Sequence, residues 1–320
     1  MDMSKLIPVF KRKPNIQKTR DDLTVLYVDV PNSCNLKCKT CPRGMGEMRN
    51  TQDIMDINLF KNIVKKGKKE GYKLAGLYNW TEPFLCRNLA EYVKSARKEL
   101  EVSLSSNLSL KEIPHLEETL AAGVNHLIIS VSGHTQEIHG INHAGSNLDI
   151  VKGHLQDISV MLKKRRIRTN IVLRLIKFSY NHMSEEPLRK YADSLGIGFE
   201  VIDGAGDPLR KINNDNKPDE NINADPPCQL KTEIDFSAGI CDLIANTMPV
   251  DHKGDAYLCC CHPNTENFLI GSYHDTEPDR LLALRYTHPS CKNCGWKRIP
   301  LIQKEEKAIR EFNRTLSMPS

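Results

Sequence analysis

Six short β-rich runs alternate with amphipathic stretches over the first two thirds of this chain, and no other feature narrows its possible folds so far. The runs are LTVLYVDV (23–30), YKLAGLYN (72–79), EVSLSS (101–106), NHLIISVS (125–132), IRTNIVLRLI (167–176) and IGFEVID (197–203). Between them, apolar residues recur at helical spacing over about 57–70, 88–99, 112–122, 147–165 and 184–195, with Ser184 before Glu185 and Glu186 suiting a helix start. Strands joined by helix-length connections pair in parallel and place their helices on the sheet's face. A closed barrel takes eight such units. Six predict an α/β fold of the open kind, a partial (β/α)6 barrel with a small cysteine-rich C-terminal domain behind it.

The 320 residues divide accordingly: an N-terminal extension (1–22), the barrel (23–203), and a stretch rich in Asn, Asp, Pro and Gly (204–227) that reads as a linker or lid. Residues 228–298 hold seven of the eleven cysteines and few aliphatic runs, so metal staples are expected there. The final segment, 299–320, has helical periodicity and is predicted to pack back on the barrel.

Eleven cysteines are an odd count in a long chain without an export signal, which favours metal ligation over disulfides. The 45 basic and 40 acidic side chains are interspersed, so a net charge of +5 leaves no strong nucleic-acid footprint. The run KKRRIR from Lys163 reads as a helix end, where cations suit the dipole, with anion binding as the alternative. No apolar run approaches the roughly 20 residues of a membrane span. A cytoplasmic location is the expectation.

Cys34, Cys38 and Cys41, spaced C-x3-C-x2-C, follow the first strand at the mouth where barrel sites are built. Zinc ordinarily takes a fourth protein ligand, which would have to fold in from a distance. An iron–sulfur cube held by three thiolates leaves one iron open for a small molecule.

CNLKCKTC on this loop resembles the signature of the radical S-adenosylmethionine (radical SAM) enzymes, with Thr40 where many members carry an aromatic residue. The resemblance implies a [4Fe–4S] cluster on Cys34, Cys38 and Cys41 and S-adenosyl-L-methionine (SAM) on the open iron. SAM is split to a 5'-deoxyadenosyl radical that takes a hydrogen atom from substrate. YNWTEP resembles the family's Gly-Gly-Glu-Pro segment, with Glu82 as the carboxylate for the SAM ammonium and Trp80 and Thr81 replacing the glycines. SSN resembles the Thr-Asn-Gly segment, making Ser106 and Asn107 neighbours of SAM. SVSG resembles the Ser-hydrophobic-Asp-Gly motif, with Ser130 and Ser132 on one face and Ser132 in place of the acid. Taken singly, such polar residues at strand ends serve equally well in turns. Arg174, a charge within an apolar strand, needs a partner: the SAM carboxylate, the substrate, or a structural ion pair. His143 matches a position where relatives often carry Arg, but reads as a solvated loop histidine.

Downstream, Cys241, Cys259 and the pair Cys291-x2-Cys294, with Gly254 five positions before Cys259, resemble the SPASM and twitch auxiliary-cluster domains. One C-x2-C pair matches the twitch form, with one four-cysteine iron–sulfur cluster, expected to be [4Fe–4S]. Consecutive side chains diverge, so Gly254 selects Cys259 from the Cys259–Cys261 triplet, with Cys261 as fallback. Cys228 and Cys86 are spare thiols, and a four-thiolate zinc site is the alternative. A cluster with no open iron is suited to accepting electrons. The arrangement is similar to that of twitch-type cyclitol dehydrogenases, which implies a radical SAM oxidoreductase that oxidises a small sugar- or cyclitol-like alcohol. A flavodoxin or ferredoxin would serve as reductant. The alternative is a radical SAM peptide or protein maturase; the 33 residues before Cys34 are short for a leader-recognition domain, which favours a small substrate. A third reading is a cluster-bearing scaffold.

Overall fold

The computed structural model describes residues 24–206, 208–209, 239–291, 294, 296 and 298–316. The N-terminal extension, most of the 204–227 stretch and Cys228 lie outside the described residues.

The first part runs β1 (Val25–Val28), α1 (Ile57–Glu70), β2 (Leu74–Gly76), α2 (Leu89–Ala96), β3 (Glu101–Ser106), α3 (Leu116–Ala121), β4 (His126–Val131), α4 (Gln136–Asn142), α5 (Leu148–Arg165), β5 (Asn170–Lys177), α6 (Glu185–Leu195) and β6 (Gly198–Asp203). Local chemistry sets the helix ends. Asp56 accepts from the backbone N–H of Asn58 and Leu59 to start α1, and Gly71 stops it in the left-handed conformation. α5 ends on Lys163, Lys164 and Arg165, where cations meet the negative end of the helix.

Strands β1 to β6 pair in parallel in sequence order. Strand alternation then sorts the side chains into two faces. Leu26, Val28, Val102, Leu104, Leu127, Ile129 and Leu173 are buried with Phe60, Ile63 and Leu155 of the helices, forming the hydrophobic core outside the sheet. The inner face carries Tyr27, Ser103, Ser130, Arg174 and Glu200, with Tyr78 just beyond β2, alongside the apolar Val25, Ile128 and Val172. A closed barrel would fill this space with branched apolar residues; here the wall is mixed, with a polar set among them.

The second part comprises β7 (Ile240–Cys241), α7 (Asp242–Asn246), β8 (Thr247–Val250), β9 (Asp255–Tyr257), β10 (Leu269–Ser272), α8 (Pro278–Tyr286), β11 (Arg298–Ile299) and α9 (Gln303–Leu316). It continues the sheet. β8 pairs in parallel with β1, Leu26 opposite Met248, and β9 and β10 follow antiparallel, so one nine-stranded sheet runs β10-β9-β8-β1-β2-β3-β4-β5-β6. The parallel sheet thus has a seventh strand, unexpected because β8 is four residues long and contains Pro249. All four β8 residues are buried. Gly254, at φ +86°, makes the tight β8–β9 turn and donates to the carbonyl of Asp251.

Candidate active site

The loop after β1 carries Cys34, Cys38 and Cys41, all half-buried and none in a disulfide. Backbone bonds to the segment after α4 hold it: Lys37 N–H to the Ala144 carbonyl at 3.0 Å and Lys39 N–H to that of Asn142 at 2.9 Å. The Thr40 hydroxyl donates to Asn142 Oδ1 at 3.0 Å. From the other side the buried Arg43 guanidinium donates to the carbonyls of Trp80 (2.7 Å), Arg49 (2.6 Å) and Asn32 (3.1 Å). Gly44 packs so tightly that a Cβ there would sit 2.2 Å from the Cys38 carbonyl oxygen. The role of Arg43 does not follow from spacing alone, because one of its acceptors, Trp80, lies elsewhere in the chain.

Burial, then the negative charge of Glu82, lifts the Cys34 thiol to about 12. Burial, then neighbouring Cys41 and Cys34, raises Cys38, and burial raises Cys41.

Glu82 lies 2% exposed. Its carboxylate accepts from the Ser106 hydroxyl (2.8 Å), Asn107 N–H (2.9 Å) and Phe84 N–H (3.2 Å). Burial outweighs these bonds and pushes it to about 7. The Asn107 side-chain amide reaches Asn35 Oδ1 at 3.0 Å and Cys34 Sγ at 3.8 Å. Glu82, Ser106, Asn107 and the cysteine loop therefore form one connected group, in which Ser106 acts through Glu82.

The Ser132 hydroxyl is fully buried, donates to the His139 carbonyl at 3.1 Å and lies 2.6 Å from His143 Nδ1. His143 is corrected, being 3% exposed and not solvated. Its ring stacks on that of His139 at 4.6 Å, and His139 Nε2 meets Ser146 Oγ at 2.9 Å. Burial drives His139 down to about 4 and His143 well below its ordinary value, so both are neutral. This pair braces residues 142–146, which hold the cysteine loop.

Ser130 and Arg174 are register partners on β4 and β5, and Arg174 forms an ion pair with Glu200 on β6. Tyr27 and Tyr78 meet edge to face at 5.4 Å. A cavity of about 520 Å³ opens where β5 and β6 end, lined by Lys177, Phe178, His182, Asp203 and Gly204. Gly206 on its rim lies against Thr40 of the cysteine loop, so the cavity adjoins that loop.

The downstream cysteines gather around α8. β11 pairs with β7, setting Cys241 beside Arg298, and the Cys294 N–H donates to the Cys291 carbonyl at 3.3 Å in a tight turn. Burial raises Cys241, then Cys259 and Cys294 add to it; burial lifts Cys291 to about 12, then Cys259, Cys241 and Cys294. The four thiols are thus near enough to feel one another. Cys260 accepts from the Thr247 hydroxyl at 3.9 Å, the thiol of the exposed residue Cys261 lies against both Cys259 and Cys260, and Cys86 is a buried core residue. Among the described residues, no three His, Cys, Asp or Glu side chains form a ready-made single-ion site. A cube takes one thiolate per iron and so spreads its ligands wider than one ion does.

The loop before Glu82 is bonded to the segment that follows Cys261. Trp80 Nε1 donates to the His262 carbonyl at 3.1 Å, and Asn264 Nδ2 to Asp29 Oδ2 at 3.4 Å. Asp29, held at about 6 chiefly by burial, also accepts from Asn79 N–H, Trp80 N–H and the Thr81 hydroxyl.

Residues 28–173, spanning β1 to β5, match the family model of the Radical SAM superfamily. The chain carries a radical SAM domain. Enzymes of that superfamily use a [4Fe–4S] cluster and SAM. Among solved structures, anSMEcpe with bound AdoMet is 15% identical, with a TM-score of 0.53 and coverage of 91% of this chain and 98% of that one. Streptococcus suis SuiB bound to precursor peptide SuiA is 13% identical, with a TM-score of 0.58 and coverage of 83% and 65%. BtrN in complex with AdoMet and 2-DOIA is 16% identical, with a TM-score of 0.49 and coverage of 85% and 93%. At these identities the likeness is one of fold. No curated protein matches the chain. No helix among the described residues is long and apolar enough to cross a membrane.

Proposed function

We propose that this chain is a radical SAM oxidoreductase whose substrate is a small polar molecule, a sugar- or cyclitol-like alcohol, oxidised to a ketone. The observation that carries this reading is the direct docking of the Cys259–Asn264 segment onto the Glu82 loop through Trp80 and Asp29. A site for generating a radical and a site for accepting an electron then share one wall.

Cys34, Cys38 and Cys41 would hold the SAM-binding cluster, and Cys241, Cys259, Cys291 and Cys294 the auxiliary one. When bound, the first cluster and SAM together supply a 5'-deoxyadenosyl radical. Glu82 offers a buried carboxylate to the SAM ammonium, with Ser106 and the Asn107 N–H fixing its orientation. The cavity beside Thr40 has room for the nucleoside end. Ser130, Arg174 and Glu200, with Tyr27 and Tyr78, present hydroxyls and paired charges that would lose hydrogen bonds against an apolar ligand. That favours a hydroxylated substrate. In such an oxidation the substrate hydroxyl's proton would leave to a base and its carbon-bound hydrogen atom to the radical, and a cluster held by Cys241, Cys259, Cys291 and Cys294 would take the remaining electron; a flavodoxin or ferredoxin would provide the initiating electron. A peptide substrate is the second reading, favoured by likeness in fold to SuiB.

Anaerobic reconstitution followed by incubation with SAM, dithionite and panels of cyclitols, aminosugars and peptides tests the proposal. Ketone formed in step with 5'-deoxyadenosine from a polyol supports it. Modification of peptides alone moves the assignment to the second reading.

A further inference from the structure

Arg285, on α8, is the largest fully buried side chain among the described residues. Its Nε donates to the Leu258 carbonyl at 2.6 Å and its Nη1 to that of Ile244 at 3.2 Å. Its Nη2 is buried with no hydrogen-bond partner among the described residues. None of the ion pairs among those residues includes it, although Glu70 and Glu305 line the same cavity of about 270 Å³. A guanidinium keeps its charge in a protein, and a buried charge needs compensation.

Its surroundings say where that compensation comes from. Leu258 precedes Cys259, Ile244 lies on the helix that begins after Cys241, and Cys291 Sγ donates to the carbonyl oxygen of Arg285 itself at 3.8 Å. Arg285 thus bonds the residue before Cys259 and the short helix after Cys241, and its own carbonyl accepts from Cys291.

We propose that Arg285 is the built-in counter-charge of the auxiliary site, a positioning residue that offsets the negative charge of a four-thiolate cluster and raises its reduction potential. The inference rests on the auxiliary-cluster reading above. Reduction adds one negative charge, so a cation fixed close by in a poorly screened interior stabilises the reduced state more than the oxidised one. A higher potential makes the cluster a better acceptor for the substrate's electron. Zinc, with no redox chemistry, would gain nothing from it.

The test uses the full chain carrying Cys34→Ala, Cys38→Ala and Cys41→Ala, so that only the auxiliary cluster remains, followed by redox titration monitored by electron paramagnetic resonance. Arg285→Gln is expected to shift the reduction equilibrium about tenfold toward the oxidised state, about 59 mV for a one-electron couple, while Arg285→Lys stays near the parent. Iron lost from the Gln variant but kept in the Lys variant also supports the proposal, since charge is then the variable. An unchanged potential in the Gln variant, or an equal shift in Lys and Gln, overturns it. So does loss of iron from both with circular dichroism unchanged, which marks a packing role. A parent that binds zinc in place of iron sinks the auxiliary-cluster reading, and the proposal with it, before Arg285 is varied.

Discussion

Trp80 donates its indole N–H to the carbonyl oxygen of His262 across 3.1 Å, bonding the loop that leads to Glu82 to the segment that begins at Cys259. The two residues are 182 positions apart in sequence. Trp80 occupies a place where the resembling motif carries glycine, and its ring makes a contact that glycine could not. Trp80→Phe keeps an aromatic ring and removes the donor. Amide hydrogen exchange over 259–264 is expected to rise about three- to tenfold, the value of one net hydrogen bond, with β4 amides unchanged. Unchanged exchange over 259–264 would show that the contact does not hold the segment.

Glu82 makes SAM binding sensitive to pH. Its carboxyl is raised to about 7 by burial, so it is neutral below that pH and loses its attraction for an ammonium group. SAM affinity, measured by equilibrium dialysis, is expected to fall up to about tenfold per pH unit below 7, and Glu82→Gln is expected to bind weakly at every pH.

The same shift bears on the stability of the metal-free chain. A carboxyl whose folded pKa lies above its unfolded one binds protons more tightly when folded, so its penalty is fully present above about 7 and fades as pH falls toward its ordinary value of 4.5. Glu82→Gln is therefore expected to stabilise the metal-free chain at pH 8 by on the order of 1–3 kcal/mol and to do little near pH 4.5, measured by urea unfolding.

Gly44 and Asn142 shape the cysteine loop without supplying a thiolate. Gly44→Ala drives a Cβ into the Cys38 backbone, and Asn142→Ala removes the acceptor for Thr40. Both variants are expected to keep native circular dichroism and lose most iron at Cys34, Cys38 and Cys41, with Gly44→Ala the more severe.

The parts of this molecule that sequence makes legible are those encoded locally. Strand and helix periodicity located β1 to β6 and α1, α2, α3, α5 and α6, and the cysteine spacing located the loop after β1. α4, at seven residues with Gly140 inside it, is too short to show a period, and Pro249 hides β8. The burial of His143, the pairing of Arg174 with Glu200 and the place of Arg285 among the cysteines depend on residues brought from far along the chain. No local pattern records such meetings.

Iron, sulfide and zinc analysis of anaerobically reconstituted protein, joined to a 5'-deoxyadenosine assay with SAM and dithionite, tests the central claim most directly. The wild-type chain is expected to bind iron and sulfide and to release 5'-deoxyadenosine. Cys34→Ala, Cys38→Ala or Cys41→Ala should abolish that release, while Cys291→Ala keeps abortive cleavage and loses product formation. Zinc at Cys34, Cys38 and Cys41, or fully loaded iron with no 5'-deoxyadenosine, would contradict the account.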